Sequence, residues 1–513
     1  MNKFGLALPI VLAMLLLAVG SPIFLTRTVT QNSLIHYEQL ITLGSREYEG
    51  GDISIFLDYP TYSYILLALP HGKVLNWRCE IIDGLYFNLS SSSTHTRIKG
   101  DVLWERSGEK SQNDVICEMV SDFDVRGVRL LLLKANKYVK NESMSITVKS
   151  IKVEIDVEVS NPIEVRLVDI PWIEDFIVDR EFFHQWYEPI QMDYPIVIAN
   201  SSYHIFVDKI FHGIYPTFYV DSRDEAFELI EKLNPEIAVI VGVEPYIINI
   251  TRSEDIWDSK YNYTYSVLPY MRHGNNISQT LIFYIPPMSN EDFEKYVEKI
   301  YRYRRITHFG EWLVVAGSVD GIHPMSEVAA ESIRHKLIES ANVTLLVGAN
   351  VSAFPSLIDE YDNVLLIMHG NPWKVGNPEV KSVEKITENA RRYNIEFREF
   401  NFTDVPNDRP TTVLIALSCL TARWWENDTL SMRFLVDGSP ILYVGWSMPV
   451  PVRHDYRLRY SYGFTFVYLA ADSDLIEGLE KAIFYADLMA SIRDDPNWND
   501  MVNSLWLLGI PPT

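Results

Sequence analysis

The chain has 513 residues, 47% hydrophobic and 22% charged, which is enough apolar content for two or three folded domains and excludes a disordered chain. Its 45 Lys and Arg stand against 68 Asp and Glu, a formal net charge of −23. That balance argues against a nucleic-acid partner, which needs a basic face, and suits a surface exposed outside the cell.

Residues 1–27 carry an address. Met1-Asn2-Lys3 is followed by an apolar run from Phe4 to Leu25, interrupted by Pro9 and by Gly20-Ser21-Pro22. Two readings stand. The small residues Ala18-Val19-Gly20 suit a signal-peptide cleavage site, and a run of about twenty apolar residues also suits an uncleaved membrane anchor. Either sends the remainder out of the cytoplasm, to be secreted or held at the cell surface. Asn-x-Ser/Thr sequons agree with export; they occur at Asn88, Asn141, Asn200, Asn249, Asn262, Asn276, Asn342, Asn350, Asn401 and Asn427.

Residues 28–160 read as a β-sandwich or jelly-roll module of short strands between Gly, Ser and Asn turns. The clearest runs start at Arg129 and Ser145. In the second, Ile146 and Val148 alternate in one phase and Ile151, Val153, Ile155, Val157 and Val159 in the other, so a bulge or bend is expected at Ser150. Of three cysteines, Cys79 and Cys117 share this module and are the expected disulfide in an oxidising compartment. Cys419 is then the odd thiol.

A linker near Asn161-Pro162 leads into alternating strands and helices, divided here into a first α/β subdomain, 161–310, and a second, 311–513. Apolar strands are expected at 195–199, 237–242, 312–317, 343–348, 364–370, 412–419 and 441–445, several of them stopping at glycine. Between them, Ser222-x-x-Glu225 forms a capping box, and Ser289 or Asn290, Ser326 and Ser382 are expected helix caps. The pattern predicts parallel βα units in a doubly wound sheet.

Two of these strands end in reactive residues. VLLIMHGN delivers His369-Gly370 and TTVLIALSC delivers Cys419, fifty residues later. In an open α/β sheet the residues just past the carboxyl ends of strands line the ligand crevice. An imidazole and a thiol at one such edge form a base and nucleophile suited to an acyl substrate. A lone cysteine is otherwise an ordinary small core residue. His71-Gly72 and His273-Gly274 repeat the dipeptide without a cysteine at a following strand end, and read as turns.

A strand ending His-Gly followed by one ending Ser-Cys resembles the caspase, legumain and gingipain clan of cysteine peptidases, and the rest of the chain is most similar to the gingipain family. IAVIVGVEP, FYIPPMSNEDFEKYVEKIYRYRR, WLVVAGSVDG, NVSAFPSLIDEYDNVLLIMHGN, LSCLTARWW and YVGWSMPVP occur in the family's order over roughly residues 190 to 513. The sequence departs from it in lacking a Gly-Arg pair at the second stretch and the Asp of a Gly-Asp-Pro turn, where LLGIPPT stands instead. The resemblance implies a caspase-like parallel sheet flanked by helices. It implies cleavage of protein or peptide substrates by Cys419 with His369 as base, and an oxyanion hole from the Gly370 and Cys419 amides. Asp320 matches the acidic residue that orients the imidazole, although an Asp-Gly turn needs no such role. Glu327, opening the next helix, matches a carboxylate that meets a substrate Arg, although any helix favours an acid in its first turn. Trp446 and Met448 suit the wall of a specificity pocket or the core. No cofactor or catalytic metal is implied; a structural Ca²⁺ is left open. The competing reading is a catalytically silent surface protein with a binding or envelope-assembly role.

Overall fold

The computed structural model describes residues 34–43, 61–88, 95–102, 116–140, 144–159, 165–168, 170–189, 195–249, 263–274, 277–304, 310–317, 325–347, 357–371, 374–376, 378–379, 396–397, 411–427, 429–450, 462–493 and 496–512. The N-terminal segment, Asp320, the Ser382 cap and the sequons at Asn141, Asn262, Asn276, Asn350 and Asn401 lie outside these residues. Two compact units divide the chain, 1–192 and 193–513.

The first unit is built from strands that alternate in burial. Strands β1 (Leu34–Thr42), β2 (Tyr62–Leu69), β3 (Gly72–Asn88), β4 (His95–Val102), β5 (Cys117–Val125), β6 (Val128–Asn136), β7 (Tyr138–Lys140) and β8 (Met144–Val159) form two antiparallel sheets. One has the order β1-β8-β3-β4 with β7 added to β8, the other β2-β6-β5. Ile65, Leu67, Leu131 and Leu133 from the smaller sheet share one apolar core with Tyr37, Ile41, Ile151, Val153 and Val157 from the larger. The phase slip at Ser150 has its counterpart on the neighbouring strand. Ile81 pairs with Ile151, Asp83 with Ser150 and Gly84 with Val148, so β3 carries an extra residue at Ile82 and β8 one at Lys149, next to Ser150. With that slip, Ile146 and Val148 reach the same core as Ile151 and Val153. Cys79 on β3 and Cys117 at the start of β5 form a disulfide, joining the two sheets.

The expected boundary at 160 falls inside this unit. Beyond it come β9 (Arg166–Val168), a 3₁₀ turn at Pro171–Asp175, α1 (Arg180–Phe183) and β10 (Tyr187–Pro189). They belong to it for a physical reason: Ile173, Phe176 and Phe183 are buried, and Val178 N–H donates to the Leu66 carbonyl at 3.1 Å. The Tyr187 hydroxyl also donates to the Leu69 carbonyl at 2.6 Å.

The second unit is α/β, built on one ten-stranded sheet. In chain order it contains β11 (Ile196–Asn200), α2 (His204–Phe211), β12 (Thr217–Val220), α3 (Arg223–Leu233), β13 (Ile237–Val241), β14 (Tyr246–Asn249), β15 (Tyr263–Ser266) and α4 (Leu268–Arg272). There follow β16 (Leu281–Ile285), α5 (Asn290–Tyr303), β17 (Glu311–Ala316), α6 (Met325–Leu337), β18 (Asn342–Val347) and β19 (Asn363–Ile367). Four short strands come next, β20 (His369–Asn371), β21 (Lys374–Gly376), β22 (Pro378–Glu379) and β23 (Glu396–Phe397). The unit closes with β24 (Val413–Leu417), α7 (Leu430–Val436), β25 (Leu442–Trp446), α8 (Tyr462–Ala470), α9 (Leu475–Arg493), α10 (Pro496–Asn503) and β26 (Leu505–Gly509).

Its sheet order is β12-β11-β13-β16-β26-β25-β24-β19-β17-β18. The expected parallel βα pairings are present, but the sheet as a whole is mixed. The first four strands are parallel to one another and to β26, whereas β26 is antiparallel to β25, and β25, β24, β19, β17 and β18 are parallel to one another. Two parallel half-sheets therefore run in opposite directions across β26, and subdomains 161–310 and 311–513 share a single sheet. The strands on either side of the join are wholly buried, as strands covered on both faces are.

Candidate active site

The second half-sheet puts five carboxyl ends at one edge, because parallel neighbours point the same way. Its two central members, β19 and β24, are in register from Asn363↔Val413 to Ile367↔Leu417. They therefore deliver Met368-His369-Gly370 and Ser418-Cys419 side by side. The ladder's last backbone contact is Met368 N–H to the Leu417 carbonyl at 3.4 Å. Past it the Ser418 hydroxyl donates to the Met368 carbonyl at 2.8 Å.

Gly370 lies against the cysteine turn. A Cβ placed on it would stand 2.7 Å from Thr421 Cγ2, 2.8 Å from Ser418 Cβ and 3.0 Å from the Cys419 carbonyl oxygen. No side chain fits there, so glycine is required by close approach. His369, Gly370 and Asn371 pair with Gly376, Val375 and Lys374 in a two-stranded hairpin that leaves the main sheet.

Cys419 is half-buried and outside any disulfide. It sits in a tight turn whose next residue, Leu420, has φ +63°. That left-handed conformation costs a residue with a Cβ roughly 1–3 kcal/mol and persists where surrounding contacts impose it. Those contacts are identifiable: Leu420 N–H donates to the Met448 carbonyl at 3.3 Å and Ala422 N–H to the Trp446 carbonyl at 3.1 Å. The turn is thus tied to β25 on one side and to the β19 extension on the other.

The remaining expected residues fall as follows. Gly317, just past β17, donates to the Ile367 carbonyl at 2.9 Å, so β17 ends beside the strand that precedes His369. Glu327 is half-buried in the first turn of α6, the helix that follows β17. Ser326 does not stand before that helix as a cap: it lies inside the first turn, buried, and its hydroxyl donates to the Gly317 carbonyl at 2.6 Å. Trp446 has no accessible surface and packs edge-on against Phe466 with ring centroids 5.1 Å apart, so it is a core residue and faces no open pocket. Met448 is also buried. His71 and His273 occupy turns, with His273 at φ +45° closing α4.

Several residues near the site were given no individual role from the sequence. Arg423 is buried, bound to Glu426 Oε1 at 2.5 Å and stacked over the Trp425 ring. Trp424 and Trp425 join Tyr265, Tyr284 and Trp506 in one aromatic cluster. Thr264, from the β14–β15 hairpin, meets the Ser447 hydroxyl at 2.6 Å. Only long-range pairing brings residues so distant in sequence to the cysteine turn. Among the described residues, no group of three His, Cys, Asp or Glu side chains could hold a metal ion, and no helix is long and apolar enough to cross a membrane. The sequon asparagines Asn249, Asn342 and Asn427 are exposed, and Asn200 is half-buried and accepts from Ser202 N–H. No protein-family model matches the chain, and no curated protein matches it.

Proposed function

We propose that the chain is an exported cysteine endopeptidase of the gingipain type, with a caspase-like catalytic unit, Cys419 as nucleophile and His369 as base. One observation carries the reading: the Gly370 backbone stands against the Cys419 turn at the carboxyl ends of two neighbouring parallel strands, with no room for a side chain between them. An ordinary buried cysteine needs neither that glycine nor the left-handed Leu420 beside it.

The chemistry follows from the groups named. A free thiol has a pKa near 8.5, so little thiolate exists at neutral pH unless a neighbour takes the proton. The imidazole of His369 accepts it, and the Cys419 sulfur adds to the scissile carbonyl carbon. The oxyanion is held by the amides of Gly370 and Cys419, each such donor contributing on the order of 3 kcal/mol in the transition state. As the C–N bond breaks, the imidazolium protonates the leaving amine. Water then hydrolyses the thioester, giving up its proton to His369 and restoring the thiol. In this reading Asp320 orients the imidazole and no cofactor takes part. The N-terminal unit is a structural, prodomain-like or stalk module in this reading.

The test is peptide hydrolysis by the purified protein, which Cys419→Ala abolishes; a variant that retains most of the activity overturns the proposal. Substrate preference adds a finer prediction. A carboxylate at Glu327 would pair bidentately with a guanidinium, which lysine cannot match. Among Arg, Lys, Asn and Asp substrates, cleavage after Arg is expected, reduced in Glu327→Gln. A preference for Asn or Asp, or an Arg preference that survives the substitution, contradicts it.

A further inference from the structure

The Ser418 backbone does not continue the β19–β24 ladder. Its N–H turns back to the Ala416 carbonyl of its own strand, at 2.8 Å, just where the two chains diverge toward His369 and Cys419. The side chain takes over. Ser418 Oγ reaches the Met368 carbonyl at 2.8 Å, with both residues almost completely buried, so no water stands ready to replace the hydroxyl. Thr421, itself inaccessible, donates from Oγ1 to the Ser418 carbonyl at 3.3 Å and packs its methyl where a Gly370 side chain would be. The Ser418 hydroxyl therefore fastens the residue before His369 to the residue before Cys419, and the Thr421 hydroxyl holds the Ser418 carbonyl from within the turn.

We propose that Ser418 is a positioning residue, whose hydroxyl, by holding the Met368 carbonyl, sets the His369-Gly370 backbone against the Cys419 turn. This rests on the peptidase reading, since it assigns the latch to the nucleophile and base of that site. Ser418 touches no reacting atom in this account. It acts through the registration of two strand ends, and a displacement of about 1 Å in such a register costs on the order of a hundredfold in rate.

The experiment compares wild type, Ser418→Ala, Thr421→Val and the remote control Ser289→Ala, which removes the cap of α5. Two readouts are taken: kcat and KM on a cleaved peptide, and the pH profile of Cys419 alkylation by iodoacetamide. In Ser418→Ala, kcat is expected to fall roughly 10- to 100-fold with KM changed less than about threefold. Alkylation near neutral pH slows while its high-pH plateau stays. Ser289→Ala lowers the melting temperature and leaves both readouts at wild-type values. Wild-type kcat and alkylation in Ser418→Ala overturn the latch while leaving the peptidase reading intact. Where wild type cleaves nothing, the peptidase reading falls and alkylation alone decides: a profile slowed in Ser418→Ala supports the latch, and an unchanged profile overturns it. Thr421→Val, which keeps the Met368 bond, is expected to lose less activity than Ser418→Ala; should Ser418→Ala fail to fold, Ser418→Cys, a far weaker donor of similar size, carries the test under the same criteria, with Cys419 alkylation read by peptide mapping.

Discussion

Gly370 shows how much one missing side chain can organise. A methyl group there would press on Thr421, Ser418 and the Cys419 carbonyl at once, and two of these are turn or strand-end atoms with little freedom to yield. Overpacking of this kind costs about 1–3 kcal/mol. Gly370→Ala is therefore expected to lower the melting temperature measurably and to reduce peptide hydrolysis at least about a hundredfold, because the β19 extension must move away from the cysteine turn. A variant with wild-type melting temperature and activity would contradict the close packing. The importance of this glycine was legible in the sequence, since His-Gly follows an apolar strand. Its reason was only half legible: the neighbours that exclude a side chain come from fifty residues downstream and depend on strand register. Trp446 illustrates the opposite case. Its place after a strand suited a pocket wall equally well, and only its burial beneath Phe466 settles it as core.

At the scale of elements, strand β8 carries a charge ladder on the face opposite the core. Glu154, nearly buried, accepts from Arg78 on β3 and from Lys152 Nζ at 2.6 Å. Hydrogen bonds from Arg78 and then Lys152 bring its carboxyl down from the usual 4.5 to about 2. The folded form thus holds its proton less tightly than the unfolded one, so the stabilisation is fully present above pH 4.5 and is lost as pH falls toward 2. Glu154→Gln is expected to melt lower than wild type at neutral pH, with the difference shrinking across that window. A constant difference from pH 6 to pH 2 would contradict it. The strands themselves were legible wherever an apolar run stopped at a turn former, as at residues 237–241 and 413–417. Strand β26 was not: Leu505–Gly509 was absent from the expected strands and only its end fell in the LLGIPPT stretch compared with a turn, yet it is the strand that joins the two half-sheets. Its apolar run says that it is buried but not with which neighbours, because antiparallel insertion between two parallel sets is a long-range outcome. The β14–β15 pair was hidden for another reason, each segment being only 4 residues long.

For the molecule as a whole, the reversal of strand direction at β26 decides which strand ends lie together. It turns the carboxyl ends of the first half-sheet to one end and those of β17, β18, β19, β24 and β25 to the other. His369, Cys419 and the helix bearing Glu327 all follow strands of the second set, so the residues singled out for catalysis share one sheet edge. The N-terminal unit supplies its own core and its own disulfide, and Cys419 takes no part in that bond. The account's central claim is that Cys419 and His369 act together on a peptide bond. The most direct measurement is hydrolysis of a peptide library by wild type, Cys419→Ala and His369→Ala, with melting temperatures taken on the same preparations. The account predicts cleavage by wild type only, with all three proteins melting within a few degrees of one another. Cleavage that persists in either variant would contradict it.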